Sequence, residues 1–559
     1  MSRVAAIALD AADVHLIERL IDRGELPFLR ALRARSARYG LRSDTLYRGT
    51  LVWEAFLAGR EDVGHWSGGG FVFEPDSYAS FQVGALGATP FYERAPGIAP
   101  IAIDVPHLSP FGRPVRVCSW GGHALSSVRG SVPRGLLHEI EERFGGHAAF
   151  RADHVYAWHR REYVETLGDA LAEGARRRVE IATWLQQRFR DWNLILVAMS
   201  EPHAAGENFG HTLDEAHPLA SAPTAALACQ RLVDVYRALD DAVGRFTATL
   251  PQDTALVVFA LHGMTVNDAD LPSQVLLPEL LYRMQRGRSR LRDVDLQKWR
   301  RAGCPPVVPK SATTWKQHMD SRWRGARPGR PRFRRLARRL LPNAVLDARQ
   351  RHSGHGIRAV SDESADTYET DHGHRNVDGS VPSWYRESWP ELGAFALPTF
   401  SDARVRINLQ GRERGGVVPV DGYARFCSQV EAWVRLCRDA RTGRPAVEDV
   451  CSIRADDPFE REGADADLVV RWAPGVDAIV HPEVGAIGPY PFRRTGGHTP
   501  HGFAWLSGPG IEPGERDERL ARDVPPTILT LLGHPVPHDI HGTPLLPRSA
   551  PTGTYINPV

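Results

Sequence analysis

The feature that most constrains this chain is an alternation in its first half. Short apolar runs at Val4–Leu9, Pro100–Ile103, Val115–Ser119, Leu194–Ala198 and Ala255–Ala260 are separated by amphipathic stretches such as Asp13–Arg35, Gly168–Trp192 and Thr224–Leu250. Apolar residues recur in those stretches at helical spacing, so strands and helices alternate and predict β-α-β units around a mainly parallel sheet. A last unit, Gly502–Gly508 then Pro525–Leu532, repeats the scheme, with Asp523 placed as a helix cap and a proline pair in the first turn. The expected fold is a three-layer α/β sandwich.

With 559 residues, the chain exceeds the size at which one simple core keeps growing, which predicts a large core domain carrying an insertion. From about Asp268 to Phe400 the sequence is rich in Arg, Pro and polar residues and poor in long periodic segments. Residues 268–400 therefore read as a cap inserted between a first core part, 1–267, and a second, 401–559. The arginine-dense run Arg322–Arg339 reads as a solvated basic face before it reads as an anion-binding surface.

Composition removes several classes. A formal net charge of +2 gives no specific indication of a nucleic-acid or acidic-membrane partner. No segment approaches the roughly 20 uninterrupted apolar residues that span a bilayer. Six scattered cysteines without a C-x-x-C pair argue against a disulfide framework or zinc ribbon. The N-terminus runs straight into Arg3-Val-Ala-Ala-Ile-Ala-Leu9 with an acid behind it, unlike a signal peptide. The cytoplasm is the expected compartment.

In open α/β sheets ligands sit beyond the carboxyl ends of the strands, so the residues following each apolar run matter most. Asp10 ends the first run. The fourth leads into Ser200-Glu-Pro-His-Ala-Ala-Gly-Glu-Asn-Phe-Gly-His211, and the fifth into Leu261-His-Gly-Met264. Gly496-Gly-His-Thr-Pro-His-Gly502 precedes the last strand, and Thr50 opens a probable helix in Arg48-Gly-Thr-Leu-Val-Trp-Glu-Ala-Phe-Leu-Ala-Gly59. Each has an ordinary reading too: Thr50 suits a helix N-cap, and His203, Glu207 and His211, spaced four apart, would share one helix face.

Taken together, these segments resemble the alkaline phosphatase superfamily, in its type I phosphodiesterase and nucleotide pyrophosphatase branch. The resemblance extends over Ala8-Leu-Asp-Ala-Ala12, Gly24-Glu-Leu-Pro-Phe-Leu-Arg-Ala-Leu32, the Thr50 segment, His262-Gly-Met264, Gly508-Pro-Gly510 and Pro526-Thr-Ile-Leu-Thr-Leu-Leu-Gly533. Gly411-Arg-Glu413, after Arg406-Ile-Asn408, looks like the segment by which such proteins return to the core. The resemblance implies two metal ions, usually zinc, and a Thr or Ser nucleophile that attacks phosphorus. It assigns Thr50 as nucleophile and metal contact, Asp10 and His262 to the metal that activates it, and His203, Glu207 and His498 to the other. The implied activity is hydrolysis of a phosphodiester or pyrophosphate, or of a phosphonate or sulfate relative, on a small anionic substrate.

Two positions depart from the family pattern. Where the family carries Asp and, four residues later, His, this chain has His203 and Glu207; the set still offers imidazoles and a carboxylate, which can hold zinc, manganese or iron. Where the family carries Asp-His-Gly, this chain has Leu261-His-Gly263, which removes a carboxylate. Glu201 and Glu54 are candidates to replace it. His211, Glu201 and Arg48 are candidates for substrate contact or outer support, with Arg412 and Asp371-His-Gly-His374 beside them. One or two metals per chain are compatible with this set. The competing readings are a single-metal enzyme of different chemistry and a metal-binding relative without catalysis.

Overall fold

The structure is a computed structural model that describes residues 2–43, 52–60, 71–82, 89–112, 115–121, 123, 128–310, 313–325, 375–377, 379–399, 402–454, 457–459 and 465–546. Arg48, Thr50, Asp371-His-Gly-His374 and most of the run Arg322–Arg339 lie outside these residues.

The expected strands and helices are present. In chain order the first half runs β1 (Arg3–Leu9), α1 (Val14–Asp22), α2 (Pro27–Ala34), β2 (Ala37–Arg42), α3 (Val52–Ala58), β3 (Pro100–Ile103), β4 (Val115–Cys118), β5 (Gly130–Val132), α4 (Arg161–Arg188), β6 (Leu194–Met199), α5 (Glu201–Phe209), α6 (Ala225–Ala248) and β7 (Thr254–Ala260). The stretch expected as one helix over Asp13–Arg35 is two, because Gly24 turns the chain at φ 75° and Pro27 opens a new first turn. α1 buries Leu16, Ile17, Leu20 and Ile21, each contributing about 1.5–3 kcal/mol by leaving water. Its N-cap is Asp13, whose side chain accepts from the His15 N–H.

A short strand, β8 (Gly263–Val266), follows β7. Strands β9 (Ala394–Leu397), β10 (Ala403–Ile407), β11 (Val447–Ser452) and β12 (Leu468–Trp472) then build a separate antiparallel sheet ordered β9-β10-β12-β11. This second sheet has its own core, in which Trp389 stacks on Phe395 at 4.7 Å between ring centroids. The chain returns through β13 (Gly496–Thr499) to β14 (His501–Ser507) and closes with α7 (Val524–Leu531). It therefore rejoins the main sheet near residue 500, and not around Gly411-Arg-Glu413, which belongs to the second sheet's core.

The main sheet is ordered β2-β14-β7-β1-β6-β3-β4-β5. Its central five strands, β7 to β4, are parallel; β14 runs antiparallel between β7 and β2, and β5 is antiparallel on β4. Alternate residues of β1 face opposite layers. Ala5, Ile7 and Leu9 pack with α1, α2, α4 and α6, whereas Val4, Ala6 and Ala8 pack with α3 and α7. This is the three-layer α/β sandwich. No helix among the described residues is long and apolar enough to cross a membrane.

Candidate metal centre

The carboxyl ends of β1, β6 and β7 lie side by side, and the residues leaving them converge. Asp10 follows β1 and its N–H donates to the Met199 carbonyl at the end of β6 (2.9 Å). The next residue, Ala11, has φ 52°, a left-handed conformation costly for a residue with a Cβ and typical of functional turns. His203 lies in the first turn of α5. His262 sits in the turn from β7 to β8, and β8 pairs antiparallel with β13 so that Met264 faces His498. This ribbon lies so close to α5 that a Cβ on Gly496 would come within 2.1 Å of the Gly206 carbonyl oxygen, so glycine is required there. That close approach brings His498 to His203.

Asp10, His203, His262 and His498 form one cluster, with Asp10 and His262 buried and His203 and His498 partly exposed. Asp10 Oδ1 accepts from Trp53 Nε1 of α3 (2.8 Å), and its Oδ2 meets His203 Nδ1 (2.8 Å). His203 Nε2 faces His498 Nε2 at 2.9 Å, near the roughly 3.3 Å expected between two nitrogens of a tetrahedral zinc site with bonds of about 2.0–2.1 Å. Ligand nitrogens of His203, His262 and His498 all lie within 4.8 Å of one another. Both ring nitrogens of His262 are buried without a hydrogen-bond partner among the described residues.

The electrostatics match this geometry. Burial alone would raise the Asp10 carboxyl, but hydrogen-bonded His203 and nearby His262 hold it well below the usual carboxylate range. Burial and the neighbouring His203 push His262 down to about 4, and burial with both other imidazoles drives His498 down further. For His203, burial and His123 act downward, and Asp10 with Glu207 outweighs them to raise it. His262 and His498 are thus held neutral beside an ionised Asp10, the states a metal requires, whereas His203 is shifted toward its protonated form by its carboxylate partners.

Glu207, one turn along α5, is differently engaged. Its Oε1 takes an ion pair from Arg494 and lies 3.7 Å from His203 Nε2, while its Oε2 accepts from Tyr156 Oη (2.7 Å) and faces His123 Nε2 (3.2 Å). Burial would raise this carboxyl, yet Arg494 and His123 hold it well below its ordinary value. Behind it, His123 Nδ1 meets Asp153 Oδ2 at 2.6 Å, and the His123 ring stacks on His154 (4.4 Å between centroids). Sequence reasoning passed over His123, Asp153, His154, Tyr156 and Arg494 as members of this cluster. The adjacent acid and histidine in Ala152-Asp-His-Val155 were the available signal, as was Arg494 four residues before His498.

Other sequence candidates lie elsewhere. Glu201 does not replace the missing acid: its Oε1 accepts from Arg178 Nη2 (2.7 Å) and contacts His147 Nε2 (3.1 Å), inside a buried network with Asp104. Glu54 is buried against His107 Nδ1 (3.2 Å). His211 does not share the helix face of His203, because α5 ends at Phe209 and His211 sits on a following 3-10 turn, buried near Trp158 (5.8 Å between centroids). Leu261 packs into the apolar layer that includes α3 and α7. Arg412 is held by Asp467 Oδ1 (2.7 Å) and Glu413 Oε1 (3.0 Å) in the second sheet's core.

The fold and this cluster define a three-layer α/β chain with one carboxylate and three imidazoles gathered at the strand ends. The chain belongs to the type I phosphodiesterase / nucleotide pyrophosphatase family, whose model matches residues 4–377, and so to a superfamily of phosphoryl-transfer hydrolases. No curated protein matches it. Among solved structures it is similar to phosphonoacetate hydrolase from Sinorhizobium meliloti 1021 in complex with phosphonoacetate, at 12% identity and TM-score 0.45, covering 95% of this chain and 96% of that one. It is also similar to wild-type alkaline phosphatase PafA (10% identity, TM-score 0.45, 98% of each chain) and to human ectonucleotide pyrophosphatase / phosphodiesterase 5 (10% identity, TM-score 0.41, 97% of each chain).

Proposed function

We propose that this chain is a metal-dependent hydrolase of phosphate esters, with phosphodiesters or pyrophosphates as the first substrate class and phosphonates or sulfates as relatives. The observation that carries this reading is His262, buried beside His203 and His498 with neither nitrogen hydrogen-bonded. Buried polar atoms are nearly always paired, and a cation is the partner this imidazole lacks. Three imidazoles and one carboxylate suit zinc, with manganese or iron as alternatives.

Asp10, His203, His262 and His498 would hold the ion, which supplies charge stabilisation for the entering and leaving oxygens. Trp53 and the β1–β6 backbone contact fix Asp10, so its carboxylate needs little reorganisation. Thr50 precedes the helix that carries Trp53 and is the proposed nucleophile. Its Oγ–P bond forms as the ester P–O bond breaks and the alcohol leaves with a proton; water then cleaves the Oγ–P bond and restores the hydroxyl. Glu207, whose oxygens also meet Arg494 and Tyr156, is a further proposed ligand, grouped with His123 and His203. Arg48 is a proposed contact for a small anionic substrate. Six free cysteines favour the cytoplasm.

A second reading, a single-metal enzyme acting on another bond, is favoured by Leu261, an apolar side chain where the family pattern has an acid. Turnover on aryl phosphodiester, monoester and sulfate substrates, measured for the wild type and Thr50→Ala, separates the two. Phosphodiester turnover lost in Thr50→Ala with metal retained supports the first; wild-type inactivity on every ester supports the second.

A further inference from the structure

We propose that Arg493 determines specificity at this centre by binding a second phosphate group of the substrate, carried on one alcohol and set apart from the scissile ester. The inference rests on the hydrolase reading above and deepens it, from small anionic esters to esters that bear a separate negative group.

The chain segment leading into β13 is built to present this side chain. Arg493 and Arg494 are adjacent and face opposite ways. Arg494 is buried and saturated, pairing with Glu207 on one side and with both oxygens of Asp270 on the other. Arg493 is exposed. Two indoles pin the backbone between them and the insertion. Trp158 Nε1 donates to the Phe492 and Arg493 carbonyls (3.3 and 3.2 Å), and Trp315 Nε1 donates to the Pro491 carbonyl (2.7 Å).

The guanidinium of Arg493 lies over two aromatic rings, that of Tyr156 (5.4 Å from its carbon to the centroid) and that of Trp315 (5.9 Å). Among the described residues it has no ion pair and no hydrogen bond. Tyr156 Oη donates to Glu207 Oε2 (2.7 Å), so the guanidinium stands one aromatic ring away from a carboxylate of the centre. Aromatic faces hold a guanidinium by its flat side and leave its edge N–H groups for two oxygens of one phosphate. A side chain ordered in advance loses little freedom when the ligand arrives. Trp315 opens the helix Trp315–Arg322, so the inserted region supplies one wall of this subsite. The neighbourhood is cationic as well. Burial, then Arg160, pushes His159 down to about 4, and burial, then Arg322 and Lys310, does the same to His318. His159 Nε2 meets the Thr313 carbonyl (3.3 Å) beside Trp315, which places that positive rim next to Arg493.

The test uses zinc-loaded full-length protein and two matched 4-nitrophenyl phosphodiesters, whose other alcohol carries either a phosphate or a neutral methyl ether at the same position. Turnover is read by nitrophenolate release, and affinity by calorimetry in the Thr50→Ala background. Arg493→Gln is expected to lower kcat/KM for the charged ester by roughly 10- to 100-fold, mostly through KM, as loss of one charge-assisted bidentate contact does. The neutral ester should change by less than about threefold, which also controls for misfolding. An equal fall on both esters, or no fall on the charged one, overturns the proposal. Wild-type turnover of both esters without preference for the charged one defeats this inference and leaves the proposed function standing. Absence of turnover on either ester, with calorimetric preference for the charged one that Arg493→Gln removes, sustains this inference and defeats the proposed function.

Discussion

Two polar clusters in this molecule, one of carboxylates and arginines and one of a carboxylate and imidazoles, differ in what they leave undone. In the second sheet's core, Asp467 accepts from the Ile407 N–H (2.6 Å), Arg412 Nη1 (2.7 Å) and Tyr423 Oη (2.7 Å), while Glu413 accepts from Arg406 Nε and the Leu409 N–H (both 2.7 Å). Both carboxylates there take bonds from arginine and from backbone. At the carboxyl end of the main sheet, His262 has no hydrogen-bond partner among the described residues, and two imidazole nitrogens face each other at 2.9 Å. A saturated network specifies a fold; the unsaturated one is the cluster proposed above to hold a metal.

The sharpest way to test that contrast is to remove groups from each side of it. The largest effect is expected from Thr50→Ala, which should lower phosphodiester kcat by on the order of 10^4-fold or more, as loss of a nucleophile does, while zinc content stays at the wild-type value. Next, His262→Ala should lower both metal content and kcat/KM, the latter on the order of 10^3-fold, with little change in the urea midpoint of the metal-free protein. An imidazole without partners contributes little to the apo fold.

Asp467→Asn should do the reverse. Breaking a buried pair of this kind costs about 3 kcal/mol of stability, read by urea denaturation, with metal content and turnover per folded molecule unchanged. The smallest effect concerns His217, whose Nδ1 accepts from the Leu219 N–H (3.2 Å) and which burial pushes down to about 4. Its unfolded value is near 6.5, so between these values the unfolded chain binds the extra proton. Its contribution is therefore complete above about pH 6.5 and lost as pH falls toward 4. Metal-free wild type should lose roughly 2 kcal/mol more than His217→Asn between pH 7 and pH 5.

The two regions also differ in how legible they were. β1, β6 and β7 announce themselves because a buried parallel strand is apolar throughout, and their ends mark Asp10, His203 and His262 directly. β10 reads Ala403-Arg-Val-Arg-Ile407, and its arginines suggest surface until Glu413 is found beside Arg406. Pairing of that kind depends on tertiary contact, so the sequence alone does not tell the second sheet, which begins at Ala394, from the main one. His123, Asp153 and His154 escaped notice for the same reason. They come from connecting segments between β4 and α4, where no periodicity marks proximity, and they meet His203 only through packing against α5. Arg494 was hidden likewise, since its partner Glu207 lies 287 residues earlier.

The most direct test of the central claim is to strip the purified protein with a chelator, reload it with increasing zinc, and measure phosphodiester turnover and bound metal in the same samples. Turnover that is absent without metal and rises with zinc bound until the His203–His262–His498 cluster is full is the expected result. Turnover that persists at the wild-type rate in the metal-free protein would contradict it.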